Sequence, residues 1–296
     1  MNTSANVHQC MIATYNIFHD LPAFRHLDRR LQLIAEHIAA QRPHAVALQE
    51  LVRASRCGDL GAKLAELVNQ ASGGALYTLY YAPADGAGEG DYAFDEGVAL
   101  MTLHPVAAAP EIFKFRSQVN LSTTVAGHRY RLPDDRVAMR ARLRLPHGTL
   151  DLYVTHLTDR DERSDGGVAI RVLQARELSA WINQRSGDGT PVLVAGDFND
   201  LPESGAVAVM TRAGFIDVYA AAGQPPGYTN DARDLDLESP HASHNQRIDF
   251  IFARPPRGGT LNIEDARLFI GEAHHEPKNK WLWPSDHIGV LATLRL

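Results

Sequence analysis

Thr190-Pro191-Val192-Leu193-Val194-Ala195-Gly196-Asp197-Phe198-Asn199-Asp200 is the stretch from which the rest of the chain is read. The apolar run Val192 to Ala195, behind Pro191, predicts a fully buried strand that the glycine at 196 ends. Just past that glycine stand a carboxylate and a carboxamide, one residue apart. In a chain still extended, residues i and i+2 share a face, so Asp197 and Asn199 aim at one point beyond the sheet edge. A carboxylate can hold a metal or take a proton from water, and an amide can donate to a phosphate oxygen. A polar turn after a core strand is the reading of the same residues without chemistry.

At 296 residues the chain has material for a substantial core, in two domains or in one large α/β domain. An apolar content of 45% and a charged content of 22% are ordinary for a globular protein. The net charge of −6 gives no global basic field for long nucleic acid. It does not exclude that partner, because a bound divalent cation supplies positive potential locally. Two cysteines, Cys10 and Cys57, are no disulfide framework. Met1 to Gln9 is polar, without the basic start and apolar run of a signal peptide, and no stretch approaches 18 apolar residues. A cytoplasmic protein with no transmembrane segment is the expectation.

Along the chain, Met11 to Ile17 and Ala45 to Leu48 read as buried strands, the second closed by Gln49-Glu50. Leu27, Leu31, Ile34 and Ile38 share one helical face between them, and Pro43 stops that helix. Leu60, Leu64, Leu67 and Val68 mark another helix. Tyr77 to Tyr81 and Gly97 to Leu103 read as strands around the Gly-rich loop Asp85 to Gly90. Met139 to Leu145 alternates, with Arg140, Arg142 and Arg144 on one face, a solvated strand face in preference to a phosphate patch. Leu150 to Thr155 is a further strand, Leu173, Leu178, Trp181 and Ile182 a helix, and Ile248 to Ala253 and Ile288 to Leu294 the last strands. No repeat, low-complexity tract or linker divides the chain. A single α/β domain, sheet packed on sheet with helices outside, fits this order. Two long polar stretches, Phe113 to Arg136 and Gln224 to Gln246, read as functional loops.

Polar residues recur where the buried strands end: Asn16, Glu50, His156, Asp197 with Asn199, Asp249, and Asp286-His287. Any one alone reads as a cap or a satisfied core group. So many together have no such explanation, since each costs about 1–3 kcal/mol if buried unpaired. Thr14-Tyr15-Asn16-Ile17, Leu48-Gln49-Glu50, Thr155-His156-Leu157, Gly196-Asp197-Phe198-Asn199, Arg247-Ile248-Asp249-Phe250-Ile251 and Ser285-Asp286-His287 resemble, in order, the motifs of the endonuclease/exonuclease/phosphatase superfamily. That group includes deoxyribonucleases, abasic-site endonucleases, inositol polyphosphate 5-phosphatases and neutral sphingomyelinases. The resemblance runs from residue 11 to residue 290. It implies one domain over residues 1–296, with its core from about residue 11. The implied fold is a four-layer α/β (α+β) sandwich, two central mixed or antiparallel sheets flanked by helices, with a divalent metal at one end.

The resemblance and the donor chemistry together imply the roles. Glu50 is the main ligand of Mg²⁺ (or Mn²⁺), a hard cation served by hard oxygen, with Asn16 and Asp286 beside it. His287 is the general base and Asp249 orients its ring. Asp197 orients the attacking water, and Asn199 donates to the phosphoryl oxygen. His156 donates to a non-bridging oxygen or protonates the leaving group. In the deoxyribonuclease-like branch a carboxylate backs this histidine, and Glu96 is the candidate. Arg136 either reaches the phosphate or lies on the surface.

The leading function is therefore a metal-dependent phosphodiester hydrolase, with a small molecule or lipid head group favoured as substrate. A DNA or RNA nuclease is the alternative, and a non-catalytic binding protein on the same fold a third reading. Trp281 and Trp283, just ahead of Ser285-Asp286-His287, either line the mouth of the site or pack inward. Three segments are expected to set specificity: Phe113 to Arg136, Gln224 to Gln246, and Gly271 to Pro284.

Overall fold

The computed structural model describes residues 9–74, 76–87, 94–125, 128–164, 166–187, 189–224, 226–231 and 236–296. The chain begins β1 (Gln9–Asn16), α1 (Leu27–Gln41), β2 (Ala45–Ala54), β3 (Gly58–Asp59), α2 (Leu60–Ala71), β4 (Thr78–Ala87) and β5 (Phe94–Thr102). It continues with β6 (Glu111–Lys114), β7 (Val119–Val125), β8 (His128–Asp134), β9 (Val137–Leu145), β10 (Gly148–His156), α3 (Ile170–Arg185) and β11 (Val192–Asp197). The last part holds α4 (Gly205–Arg212), β12 (Ile216–Asp217), α5 (Val218–Ala221), β13 (Asp249–Arg254), β14 (Asn262–Phe269), β15 (His274–Glu276), β16 (Lys280–Leu282) and β17 (Gly289–Arg295).

One sheet has the order β14-β17-β1-β2-β5-β4, with β3 on β2, and the other β12-β13-β11-β10-β9-β6. Each is antiparallel except at one pair, β1 with β2 and β10 with β11. Those two pairs are parallel because a helix, α1 or α3, carries the chain back between their strands. The inner faces meet in a core that includes Ile12, Ala45, Leu100, Met139, Leu152 and Ile251. On one outer face α1 and α2 bury Leu31, Ile34, Leu60 and Leu64; on the other α3 and α4 bury Leu178, Ile182, Val207 and Met210. This is the four-layer sandwich expected of the sequence. Both faces of its inner strands are buried, which is why they read as unbroken apolar runs.

Several local readings are corrected. Gly196 does not end the strand: it pairs with Thr155 inside β11, and a Cβ there would stand 2.0 Å from Thr155 O. The glycine permits close approach of two strands. Phe113 to Arg136 is not a long loop but the end of β6 followed by the paired β7 and β8. Gly271 to Pro284 folds largely as the β15–β16 ribbon. Asp85 to Ala87 of the Gly-rich loop end β4, while its residues 88–90, and the polar start at 1–8, lie outside the described residues. Arg140 and Arg142 are no free solvated face. Both bind the buried Asp151, with Nε of Arg142 2.8 Å and Nη2 of Arg140 3.1 Å from its oxygens, and Arg140 also pairs with Glu111.

Candidate active site

The C-terminal ends of the two parallel pairs meet at one edge of the sandwich. Register places Asn16 beside Gln49, His156 beside Asp197, and Asp197 beside Asp249. The Asn16 amide crosses between the sheets, its Nδ2 donating to Glu50 Oε1 at 3.0 Å and to Asp197 Oδ2 at 3.1 Å. Glu50 lies in a bulge between Leu48 and Leu51, with φ 59°. β2 therefore runs on to Ala54, and the bulge turns the Glu50 carboxylate out of the ladder. Asn199 reaches the same point through a turn, not an extended chain: its φ is 48° and its N–H donates to Asp197 Oδ1 at 2.8 Å.

Two histidines flank the Asp197 carboxylate. Nε2 of His156 lies 3.6 Å and Nε2 of His287 3.8 Å from its Oδ2. His287 Nδ1 faces Asp249 Oδ2 at 2.9 Å, and both side chains are buried. Ser285 Oγ donates to Asn16 O at 2.8 Å and accepts from His287 N at 3.1 Å, which joins the start of β17 to the end of β1. Its contact with Asp286 Oδ1 brings that carboxylate to the Glu50 side of the cleft. Arg136, only 12% exposed, is no surface residue. Its Nη1 donates to His156 Nδ1 at 2.9 Å, and Glu96 and Asp134 lie 3.8 and 3.2 Å from its guanidinium. Glu96 thus stands behind Arg136 rather than directly behind His156. An arginine only donates, so Nδ1 is an acceptor and Nε2 carries the His156 proton. Asn199 Nδ2 donates one of its two hydrogens to Leu157 O at 3.0 Å and lies 3.1 Å from that Nε2.

Electrostatics separate these groups. Burial, then the charges of Arg136 and His287, hold His156 well below the usual histidine range. Burial works against charge on His287 too, but Asp249, Asp286 and Asp197 outweigh it and lift this histidine well above that range. Burial and then Asp249 push Asp197 up to about 7. Burial raises Asp286 to about 6, with Glu50 adding to the rise and His287 opposing it.

The donor set fits a hard divalent cation. Glu50 and Asp286 offer oxygen ligands beside the Asn16 amide, whose Nδ2 faces the carboxylates and whose Oδ1 accepts from Phe18 N–H at 3.0 Å, and carboxylates so placed are stabilised by positive charge. Asp197, Asp249 and His287 form a second set, with ligand atoms within 4.8 Å of one another. There His287 Nδ1 is committed to Asp249 while Nε2 faces Asp197 at 3.8 Å, an arrangement suited to proton transfer. Asp249 Oδ1 remains buried and unpartnered.

The sequence from residue 13 to residue 287 matches the model of the Endonuclease/Exonuclease/phosphatase family. The chain belongs to that family. No curated protein matches it. Among solved structures, an endonuclease/exonuclease/phosphatase family protein from Leptotrichia buccalis is similar at TM-score 0.69 and 18% identity, over 97% of this chain and 100% of the other. A mannosyl-6-phosphatase from Bacteroides thetaiotaomicron is similar at TM-score 0.65 and 16% identity, over 97% and 100%. TDP2 from D. rerio, solved with a single-strand DNA product, is similar at TM-score 0.61 and 19% identity, over 97% and 99%. At such identities the likeness is one of fold.

Two cleft residues escaped the reading of the sequence. His19 Nε2 lies 3.5 Å from Glu50 and 3.4 Å from Glu96. Burial opposes its charge, yet Glu96 and Glu50 push its pKa up to about 9. Against that, Leu21 N–H donates to Nδ1 at 2.8 Å, which requires the neutral ring. The hydrogen bond fixes the tautomer: the proton sits on Nε2, between the two carboxylates. Arg30 is 1% exposed and Nη1 donates to Ile17 O, Phe18 O and Pro284 O at 3.1, 2.8 and 3.1 Å. It straps the exit of β1 to the segment carrying Asp286. The signal was present: a charged residue stood on the apolar face with Leu27, Leu31 and Ile34. Trp283 packs inward, 6% exposed, against Leu33 and Leu237, and its Nε1 donates to Ser239 O at 2.8 Å. Trp281 lies on His275 of the β15–β16 ribbon. The tryptophans fix loops.

Proposed function

We propose that this protein is a Mg²⁺-dependent phosphodiester hydrolase, Mn²⁺ serving in its place. The observation that carries the reading is the buried His287–Asp249 pair at 2.9 Å, opening on a carboxylate, Asp197, that faces the oxygen set of Glu50, Asn16 and Asp286. A cation held by that set would draw charge from a phosphate oxygen and fix the phosphate in the cleft. His287 Nε2 takes a proton from water, while Asp249 holds the ring by Nδ1 and stabilises the imidazolium. That role needs a neutral ring. Of the carboxylates that favour its protonated form, Asp286 belongs to the set that would hold the cation, whose charge would oppose that form, while Asp249 keeps its charge beside Nδ1. Asp197 accepts the other hydrogen of the water and holds it in line. His156, neutral with its proton on Nε2, and Asn199 donate to the phosphoryl oxygens or the leaving oxygen. Arg136 fixes the His156 tautomer.

Residues 11–296 act as one catalytic unit in this reading. Two buried free thiols, Cys10 and Cys57, favour a reducing compartment, the cytoplasm. Among the described residues no helix is long and apolar enough to cross a membrane. A nuclease is the alternative: the cleft is lined by Asp159, Asp161, Asp200 and Asp231, but Arg171 pairs with Asp161 and Asp200, and Arg160 with Asp159. Hydrolysis of bis-p-nitrophenyl phosphate, p-nitrophenyl phosphate, plasmid DNA, RNA and sphingomyelin with and without Mg²⁺ tests the proposal. Mg²⁺-dependent diester cleavage is expected. Cleavage of monoesters alone, or of none, would refute it.

A further inference from the structure

Beside the polar cleft lies a second cavity of about 650 Å³ with different walls. Leu201, Pro202, Tyr219, Pro226 and Tyr228 supply apolar surface, and Leu201 also lines the cleft, so the two spaces share a wall. Of the six large apolar side chains left exposed among the described residues, two, Leu201 at 42% and Tyr228 at 41%, sit at this one cavity. Such clustering beside a reactive site marks a binding surface, not scattered exposure.

The wall is built with the site. Gly227 has φ +61°, and a Cβ there would lie 2.1 Å from Tyr219 Cε1, so the backbone presses directly on that ring and Tyr228 stands clear of it. Thr229, next in the chain, donates its N–H to Gln246 O at 2.7 Å and accepts from Ile288 N at 2.7 Å. The same ladder bridges Asn230 to His287. Tyr228 is therefore held by the backbone that positions the proposed base.

Charge excludes an anionic occupant. Arg247 is the one cationic side chain among the described lining residues, and it is spent: Asp217 takes both Nη atoms, at 3.1 and 2.7 Å, and its guanidinium lies 4.7 Å from the Phe250 ring. Glu203 adds negative charge to the lining. Among the described lining residues no unpaired cation is left for a second phosphate.

We propose that this cavity is the selectivity subsite of the enzyme. It takes an uncharged group with an apolar, ring-sized face, esterified to the phosphate that reacts in the cleft. The inference rests on the phosphodiesterase reading above. It makes the two spaces divide the work, the cleft holding phosphate and the cavity choosing the alcohol attached to it.

The test uses p-nitrophenyl phosphodiesters that share one leaving group and differ in the second arm: methyl, benzyl or 3-phenylpropyl. With Mg²⁺, KM of the wild type should fall about 10-fold from methyl to the best aryl arm at similar kcat, somewhat less than full burial of a phenyl ring provides. The variant Tyr228→Ala, which truncates an exposed side chain that lines the cavity and not the cleft, should lose that gain and keep wild-type turnover of the methyl diester. Equal KM for all arms in the wild type, or an intact preference in the variant, overturns the subsite. Greater loss on an oligothymidylate than on the aryl diesters would make the cavity a strand path and overturn it too. Failure of the wild type to cleave any diester would refute the parent reading instead. The subsite is then judged by calorimetry: 3-phenylpropylphosphonate should bind about 10-fold tighter than methylphosphonate to the wild type alone, and equal affinity overturns it.

Discussion

Asp249→Asn isolates the Asp249–His287 pair. The change keeps shape and one acceptor oxygen but removes the charge facing His287 Nδ1 at 2.9 Å, where the two side chains are 0% and 7% exposed. A buried hydrogen bond to an ionised acceptor contributes about 1.5–3 kcal/mol and a neutral one about 0.5–1.5 kcal/mol. The difference, about 1–2 kcal/mol, acts when the imidazolium forms, so kcat should fall about 5- to 30-fold. His287→Ala, which removes the base itself, should cost about 10²–10⁴-fold. Initial rates on a diester at saturating Mg²⁺, with thermal melting as a control for folding, measure both. Wild-type kcat in Asp249→Asn would refute the pairing. A loss equal to that of His287→Ala, accompanied by a higher Mg²⁺ requirement, would instead make Asp197, Asp249 and His287 a ligand set.

Other perturbations probe the scaffold. Arg30→Met strands four carbonyls that one guanidinium serves, and it should lower stability by about 3 kcal/mol in urea and raise the Mg²⁺ concentration needed for half-maximal rate. An unchanged unfolding midpoint would deny the strap. Trp283→Ala should cost about 3–5 kcal/mol of stability and leave KM for diesters within about twofold, because the ring fills the core near Leu33 and not the cleft. Burial pushes the Asp151 carboxyl up, but Arg142, Ser186 and Arg140 outweigh it and hold its pKa below the ordinary value. A depressed folded pKa stabilises above the unfolded value of about 4 and is lost as pH falls through the folded one. Asp151→Asn should therefore cost about 2–4 kcal/mol at pH 7, toward the lower end since Arg142 stays 35% exposed, and less at about pH 3, below the unfolded pKa. An equal cost at both pH values, by urea melts, would contradict the pairing.

Where buried strands end in polar residues, the sequence was legible. Asn16, Glu50, His156, Asp197, Asn199, Asp249, Asp286 and His287 do gather at one edge, because parallel pairing brings the ends of β1, β2, β10 and β11 together. What stayed hidden depends on contacts between distant segments. β7 and β8 read as a polar loop because they pair only with each other, outside both large sheets, and carry few apolar residues. α4 and β14 are short or half-exposed and carry little periodicity. The partner of Arg136 is His156, set by tertiary geometry and not by spacing. A tryptophan pair ahead of Asp286 suggested a mouth, yet nothing in the sequence tells that Leu33 and Leu237 cover Trp283.

The most direct test of the central claim is a Mg²⁺ titration of diester hydrolysis by exhaustively demetallated protein, wild type beside Glu50→Gln. No turnover is expected without metal, and saturable recovery with Mg²⁺ or Mn²⁺ in the wild type. In the variant the half-saturating concentration should rise at least about 10-fold, since one of few protein carboxylates on the ion is lost. Full turnover in the metal-free wild type, or an unchanged titration in Glu50→Gln, would contradict the claim.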